Sequence, residues 1–295
     1  MKGLYKSIQQ DLKGDHSIQN WILENAQYIT MMGSRAYDTY REDSDYDLYG
    51  FTIPPKDYVF PFHYGFIHGF SKNVPSFDQF IKHGMTYDGK DVDIQLFSIV
   101  KYFRLLMDNN PNMLDSIFTK REYVIKCTKV AEMVRLNRKT FIHKGLFHKF
   151  IGYSFSQLKK AKSKDRKGKR KDIVDKYGFD TKFAGHVIRL LDEGEQLLLN
   201  GEMDITRANE KIKAINRGDV SLEEIESTFK EKEKYLTKLY EESKLPYSPD
   251  EEVIKDLLLR CLEEHFGSLD TIVNKSVSDK CILIRDIESV LERHR

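Results

Sequence analysis

The chain has 295 residues, of which 40% are hydrophobic and 12% aromatic, and its formal net charge is only +2. This length and composition are enough for two ordinary domains with sizeable cores, and they indicate a soluble globular protein. No stretch approaches the roughly 18 consecutive apolar residues of a membrane helix, so we expect a cytoplasmic protein with no membrane partner. Three isolated cysteines, Cys127, Cys261 and Cys281, have neither disulfide nor zinc-ligand spacing, and we expect free or buried thiols.

Short apolar segments separated by turn residues fill the chain before about residue 120. Three of them are typical of β-strands: "QYITMM" at 27–32, "YDLYGFTI" at 46–53 and "DVDIQLFSI" at 91–99. We therefore predict that residues 1–120 form a mixed α/β domain.

The pattern becomes helical after residue 120. The stretch 221–243 opens with a Ser-x-x-Glu capping box, and 249–266 has Pro and acidic residues in its first turn, so both are predicted helices. The predicted fold class is α+β, with an α-helical domain over 121–295 following the sheet domain.

The first strand leads into a Gly-Ser pair. Gly33 allows a tight turn, and Ser34 adds a hydroxyl beside the free N–H groups of the turn or helix that follows. Such N–H groups bind anions. We assign Gly33, Ser34 and the adjacent Arg35 to nucleotide binding.

Acidic residues alternate where the second strand begins. Asp45 and Asp47 are two residues apart in an extended segment, so their carboxylates project from the same face. Asp93 is an acid between Val92 and Ile94, where burial without a cation would be costly, and for that reason we prefer it to Asp91 as the third carboxylate.

Clustered carboxylates are the ligands that Mg²⁺ prefers, so Asp45, Asp47 and Asp93 are predicted metal ligands and catalytic residues. Two Mg²⁺ or Mn²⁺ ions about 3.5 to 4 Å apart could bridge a nucleoside triphosphate and activate an acceptor hydroxyl. Two other interpretations stay open, namely the D-x-D motif of a sugar transferase and a solvated acidic turn.

Other nucleotide and metal motifs are absent from the sequence. An EF-hand beginning at Asp43 fails because Leu48 replaces the glycine at its sixth position and Pro54 the glutamate at its twelfth. The chain contains no P-loop, no dinucleotide-binding glycine fingerprint and no H-E-x-x-H zinc motif.

One helical segment of the second half carries a row of donors. Lys182, His186 and Arg189 recur at helical spacing, beside an apolar stripe. Such a row can bind triphosphate oxygens or a nucleic-acid backbone, and a solvated helix face is the alternative.

The most basic part of the chain is residues 159–171, "KKAKSKDRKGKRK", which we call the basic run. Nine of its thirteen residues are Lys or Arg and one is Asp, which gives a net charge of +8. We predict a loop that contacts an RNA backbone, with a solvated loop as the alternative. The predicted RNA contacts are Lys159, Lys160, Lys162, Lys164, Arg166, Lys167, Lys169, Arg170 and Lys171.

The Gly33-Ser34 pair, the ten residues that separate it from Asp45-x-Asp47, and Asp93 together resemble the signature of the polymerase-beta-like nucleotidyltransferase superfamily. Longer segments are similar to the predicted nucleotidyltransferases of RNA repair pathways, a family also represented in phages. These segments include "DSDYDLYG", "KYFRLLMDNNPNMLDSIF", "FIGYSFSQLKK", "KYGFDTKFAGHVIRLLDEGEQLL" and "LPYSPD". The basic run looks longer and more basic than that family leads us to expect.

The resemblance implies a small mixed β-sheet nucleotidyltransferase domain at 1–120, with the active site at one end of the sheet and the helical domain completing the cleft. It also implies metal-dependent transfer of a nucleoside monophosphate from an NTP to an acceptor hydroxyl. The +8 charge of the basic run favours an RNA end, such as that of a tRNA, as the acceptor. A protein- or small-molecule-modifying nucleotidyltransferase of a defence or toxin system is the enzymatic alternative. A non-catalytic RNA- or nucleotide-binding module is the alternative of another class.

Overall fold

The computed structural model describes residues 2–13, 19–165 and 167–269. A five-stranded mixed sheet lies in the first half of the chain, and its spatial strand order is β3-β4-β2-β1-β5. Strands β2 and β4 are parallel, and the other neighbouring pairs are antiparallel. The strands are β1 Ala26–Met32, β2 Tyr46–Thr52, β3 Gln79–Tyr87, β4 Lys90–Ser98 and β5 Val124–Cys127.

Helices account for most of the rest of the described chain. The first half contains α1 Lys2–Lys13, α2 Trp21–Glu24, α3 Gly33–Ala36, α4 Lys56–Val59, α5 Ile99–Met107 and α6 Pro111–Phe118. After β5 come α7 Lys129–Leu136, α8 Leu146–Lys162, α9 Lys169–Tyr177, α10 Thr181–Asn200, α11 Asn209–Arg217, α12 Leu222–Glu242 and α13 Glu251–Phe266. The predicted α+β class is confirmed. None of these helices has both the length and the apolar character needed to cross a membrane.

The predicted elements correspond to β1, β2, β4, α12 and α13. The capping box of α12 is present: Ser221 Oγ accepts the Glu224 N–H at 3.2 Å, and Glu224 Oε2 accepts the Ser221 N–H at 2.8 Å. At α13, Asp250 accepts the Val253 N–H at 3.2 Å. Strands β3 and β5 were not predicted, because β3 is a largely exposed edge strand and β5 has only four residues.

The two faces of the sheet belong to different cores. Alternate side chains such as Ile29 and Leu48 pack with α1 and α2 in the smaller core. Tyr28 and Phe51 point the other way, into the larger core that the helices of the second half complete. Asp47 shares the parity of Phe51 and therefore lies on the helical side of the sheet. The domain boundary at residue 120 stays a prediction.

The prediction that the whole basic run, residues 159–171, forms a loop is wrong. Helix α8 continues to Lys162 and α9 begins at Lys169, so the run spans two helix ends and the short connection between them. Arg166 and Cys281 lie outside the described residues. Cys127 and Cys261 are free thiols, as expected.

Candidate active site

Gly33, Asp47 and Asp93 form a row at one end of the sheet, where β1, α3, β2 and β4 meet. On β2, Asp47 pairs with Asp93 of the parallel strand β4 and with Met32 at the end of β1. Gly33 follows Met32 directly and begins α3. The cross-strand pairing places the carboxylate of Asp93, and not that of Asp91, beside the carboxylate of Asp47. The metal-binding and catalytic roles of these acids stay predictions.

Gly33 fits this row only because it lacks a side chain. Its φ is +63°, and a β-carbon at this position would lie 2.1 Å from Asp47 Oδ2. The glycine therefore meets two requirements at once, a left-handed backbone and close contact with a carboxylate. The first N–H groups of a helix have no intrahelical partner. Since Gly33 begins α3 and contacts Asp47, these N–H groups lie near the Asp47 carboxylate.

Arg35 holds the segment that carries Asp45. Its Nε donates to the Asp45 carbonyl at 3.1 Å and its Nη2 to the Ser44 carbonyl at 2.6 Å, and its guanidinium lies 4.0 Å from the centre of the Tyr46 ring. These contacts use the guanidinium to fix the start of β2. Arg35 is therefore placed to orient Asp45, and its contact with nucleotide stays a prediction.

The environment of Asp47 is strongly anionic. Burial, then the neighbouring carboxylates of Asp93 and Asp45, raise the pKa of Asp47 above its ordinary value, and the interactions with Lys182 and His83 oppose this shift. An acid in this situation gains from a nearby cation.

The donor set suits a hard divalent ion, since it consists of carboxylate oxygens crowded around a partly buried site. Within the described ranges, however, no three His, Cys, Asp or Glu side chains are already arranged to hold a metal ion. Asp45 is exposed, and both oxygens of Asp93 have protein partners, His83 and Gly84.

A cavity of about 520 Å³ separates this end of the sheet from the helices, within the size range of small-molecule sites. Its sheet side is formed by residues of the α3 turn and of the approach to β2, including Gly33, Ser34, Asp45 and Asp47. Its helical side consists of Asp172, Ile173, Lys176, Tyr177, Thr181, Lys182, Gly185, His186, Arg189, Ile212 and Asn216. The structure thus brings the acidic pair and the predicted donor row of α10 to one cleft.

The three donors of α10 differ in how available they are. Lys182 is exposed, but Arg189 is only 5% exposed and forms ion pairs with Asp115 and with Glu193, the latter at 3.1 Å. Tyr37 stacks on the Arg189 guanidinium at 4.2 Å and donates its hydroxyl to Asp115 at 2.7 Å. No local pattern indicates this buried network, because Asp115 is 74 residues away along the chain.

His186 lies between the exposed and the buried end of the donor row. Burial and the surrounding cations, Arg189 first among them, lower its pKa to about 3, so the imidazole is neutral at physiological pH. Arg189 Nη2 lies 3.4 Å from His186 Nδ1. Because an arginine can only donate, Nδ1 accepts and Nε2 carries the proton. His186 is thus a neutral donor in the cleft wall.

The basic run contains both engaged and exposed cations. Arg170 forms an ion pair at 3.0 Å with the buried Asp180, which caps α10, and Lys162 pairs with Glu226 at 2.6 Å. Lys159 lies 4.4 Å from the Phe155 ring centre. The remaining cations whose side chains are described include the exposed Lys164, Lys167 and Lys171.

Sequence reasoning missed His83 on β3. Its Nδ1 lies 2.9 Å from Asp93 Oδ2, which makes it a neighbour of the acidic row. No sequence motif marks it, because the contact arises from the way in which β3 pairs with β4.

Comparison with known proteins gives a family match and matches to solved structures. The model of the RNA repair pathway DNA polymerase beta family (RlaP) matches residues 7–263. No curated protein matches the chain. A solved structure of a nucleotidyltransferase-like protein from Exiguobacterium sibiricum 255-15 matches with a TM-score of 0.29 and 12% identity, over 78% of this chain and 75% of that chain. The family match runs from α1 to α13 and includes the acidic row.

Proposed function

Because the chain belongs to the RNA repair pathway DNA polymerase beta family, whose members are polymerase-beta-like nucleotidyltransferases, we propose that it transfers a nucleoside monophosphate from an NTP to an acceptor hydroxyl. The observation that carries this proposal is the Gly33–Asp47–Asp93 row, in which Gly33 and Asp47 line the cleft and Asp93 pairs with Asp47. Backbone donors for phosphate and carboxylates for a divalent ion lie side by side there.

The residues of the cleft have separate tasks in this reaction. The N–H groups at the start of α3 bind the phosphates, and Lys182, which faces Asp47 from α10, neutralises part of their charge. The Nε2–H of His186 adds an uncharged donor to the same wall. Together these groups hold the α-phosphorus beside the acidic row.

Asp45, Asp47 and Asp93 would hold Mg²⁺ or Mn²⁺. When bound, such ions supply charge neutralisation for the leaving pyrophosphate and lower the pKa of the attacking hydroxyl. In the transfer, the acceptor oxygen forms a bond to the α-phosphorus and the bond to pyrophosphate breaks. A carboxylate oxygen of Asp93 accepts the hydroxyl proton.

An RNA end is the acceptor that we propose. Family membership supports RNA repair, and the exposed lysines of the basic run lie just before α9 or in its first turn. Helix α9 also lines the cleft. Lysines bind phosphates as flexible point charges, so they can position a polyanion without reading its sequence.

The test is label transfer from each α-labelled NTP, with Mg²⁺ or Mn²⁺, to total RNA and, in parallel, to cell protein and small-molecule acceptors. We expect labelled RNA, and no label with the Asp47→Asn variant. Label on protein or on a small molecule would replace the RNA acceptor by one of the alternatives. Binding of NTP without transfer to any acceptor would contradict the enzymatic proposal and leave a nucleotide-binding module.

A further inference from the structure

Strand β3 contains a bulge opposite Asp93. Lys82 pairs with Ile94 and Met85 with Val92, so two residues of β3, His83 and Gly84, face the single residue Asp93. Gly84 adopts a φ of +71°, which turns the backbone at this point. Bulges at sheet edges often redirect a side chain or an N–H group. Here the bulge directs both the His83 side chain and the Gly84 N–H toward Asp93.

Each group redirected by the bulge reaches one oxygen of the same carboxylate. The Gly84 N–H donates to Asp93 Oδ1 at 3.1 Å, and His83 Nδ1 lies 2.9 Å from Asp93 Oδ2. Because an ionised carboxylate only accepts hydrogen bonds, His83 Nδ1 carries a proton in this contact. Two donors from one strand therefore fix the rotation of the Asp93 carboxylate and leave its remaining lone pairs for other partners.

The imidazole of His83 makes little contribution to packing. Its side chain is 73% exposed, and within the described parts of the chain its only ion pair or hydrogen bond is the one to Asp93. A residue used merely to stabilise the sheet would be expected to bury more surface.

The position of β3 in the sheet determines from which side His83 approaches Asp93 and Asp47. The cleft is lined by Gly33 and Asp47, toward β1 and α10, whereas β3 is the edge strand on the other side of β4. His83 thus reaches the acidic row from the side of the sheet opposite the cleft. If the cleft holds the NTP, as proposed above, this is the side from which the acceptor approaches.

We propose that His83 is a positioning residue that, together with the Gly84 N–H, holds Asp93 in the orientation needed on the acceptor side of the reaction. This inference rests on the proposed function, because it assigns Asp93 to nucleotidyl transfer. It predicts an effect on the transfer step and on divalent-ion affinity, with little effect on NTP binding.

Three substitutions of His83 separate positioning from a general structural role. His83→Ala removes the donor, His83→Asn keeps an N–H near the position of Nδ1, and His83→Gln displaces it. We expect kcat to fall about 10- to 100-fold in the Ala and Gln variants, as for other residues that orient metal ligands, and KM for NTP to change less than about twofold. The Asn variant should retain kcat within about threefold of the wild type.

A second pair of variants tests the bulge itself. Gly84→Asn keeps the N–H in a residue that tolerates positive φ, whereas Gly84→Val disfavours that conformation. No atom lies within 4 Å of a β-carbon at this position, so the two variants differ in backbone preference and not in crowding. We expect kcat to follow the His83 series: near normal for Asn and low for Val.

Mn²⁺ affinity gives a readout that does not depend on turnover. We expect His83→Ala and His83→Gln to weaken Mn²⁺ binding about tenfold or more, with the melting temperature unchanged, and His83→Asn to restore it. Equal kcat and equal Mn²⁺ affinity in the Ala and Asn variants would overturn the inference, as would a loss confined to KM for NTP. If the wild type transfers to no acceptor, the proposed function fails, and the Mn²⁺ series still decides whether His83 positions Asp93.

Discussion

Gly33 and Asp47 are in such close contact that a β-carbon on residue 33 would lie 2.1 Å from the Asp47 carboxylate. The contact joins the first turn of α3 to the first acid of β2. The backbone N–H groups that we propose as phosphate ligands and a carboxylate are thus held at a fixed distance by two adjacent strands. This arrangement leaves no room for any side chain at position 33.

Gly33→Ala should therefore cause more than the strain of a positive φ. That strain alone costs roughly 1–2 kcal/mol of folding free energy. The added methyl group must also displace Asp47, so we expect kcat/KM for NTP to fall at least about tenfold, which corresponds to about 1.4 kcal/mol. Gly65→Ala is the matched control, because Gly65 has a φ of +83° and open space around it. Equal kcat/KM in the two variants would show that the Gly33–Asp47 contact has no functional weight.

Asp47→Asn should abolish transfer and stabilise the protein at neutral pH. The pKa of Asp47 is raised in the folded state by burial and by Asp93 and Asp45, so its ionised form opposes folding. That penalty is present above the folded-state pKa and disappears as the pH falls below the unfolded value of about 3.9. Urea unfolding should show a higher midpoint for the variant at about pH 7 and a smaller difference at about pH 3.

Transfer by the Asp47→Asn variant should fall by more than about 100-fold, beyond the loss typical of residues that only orient a metal ligand. Asp91→Asn is the control, since Asp91 pairs with Thr86 at the exposed start of β4. Comparable activity of the two variants would contradict the assignment of the acidic row.

His186 should make the folded protein sensitive to acid. Its pKa of about 3 lies below the ordinary value of 6.5, so the unfolded chain binds a proton more readily than the folded protein does. The resulting stability is complete above about pH 6.5 and is lost as the pH falls toward about 3. His186→Gln should reduce the decrease of unfolding free energy between about pH 7.5 and about pH 4, measured with urea, whereas replacement of the exposed His68 by Gln should not.

Arg189 and Lys182 should behave differently although both belong to the predicted donor row. Arg189→Met leaves Asp115 and Glu193 buried without their cation, which should cost about 3–5 kcal/mol in the free energy of unfolding. Arg260→Met is the control, because the Arg260–Asp256 pair is exposed and worth at most about 1 kcal/mol.

Lys182→Met should instead leave stability within about 0.5 kcal/mol, because the side chain is exposed, and raise KM for NTP severalfold. Nucleotide titrations and urea unfolding of the two variants give the comparison. An unchanged KM for the Lys182 variant would remove this residue from the nucleotide site.

The exposed lysines of the basic run should contribute to RNA affinity through charge alone. In a variant with Lys164, Lys167 and Lys171 replaced by Gln, the log–log salt dependence of single-stranded RNA binding should flatten by roughly 0.7 for each phosphate that the protein no longer neutralises. NTP affinity should not change. The matched control replaces three exposed lysines of α12, Lys230, Lys234 and Lys238, and an equal effect there would indicate non-specific attraction.

Local sequence pattern was sufficient to predict those strands and helices whose signal lies within one short segment. Short apolar segments between turn residues predicted β1, β2 and β4, and the Ser221–Glu224 capping box predicted the start of α12, because both signals arise within one segment. The two-residue period of an extended chain placed Asp45 and Asp47 on one face of their strand. The sequence alone therefore predicted an acidic strand end next to a Gly-Ser turn.

Tertiary structure decided what those residues contact. Arg189 looked like an exposed donor on a helix face, but Asp115, which is 74 residues away, neutralises it in a buried network. His83 reaches Asp93 only because two residues of β3 oppose one residue of β4. Neither contact has a local signal, since each depends on which segments become neighbours when the two cores form, and side-chain periodicity describes one segment at a time.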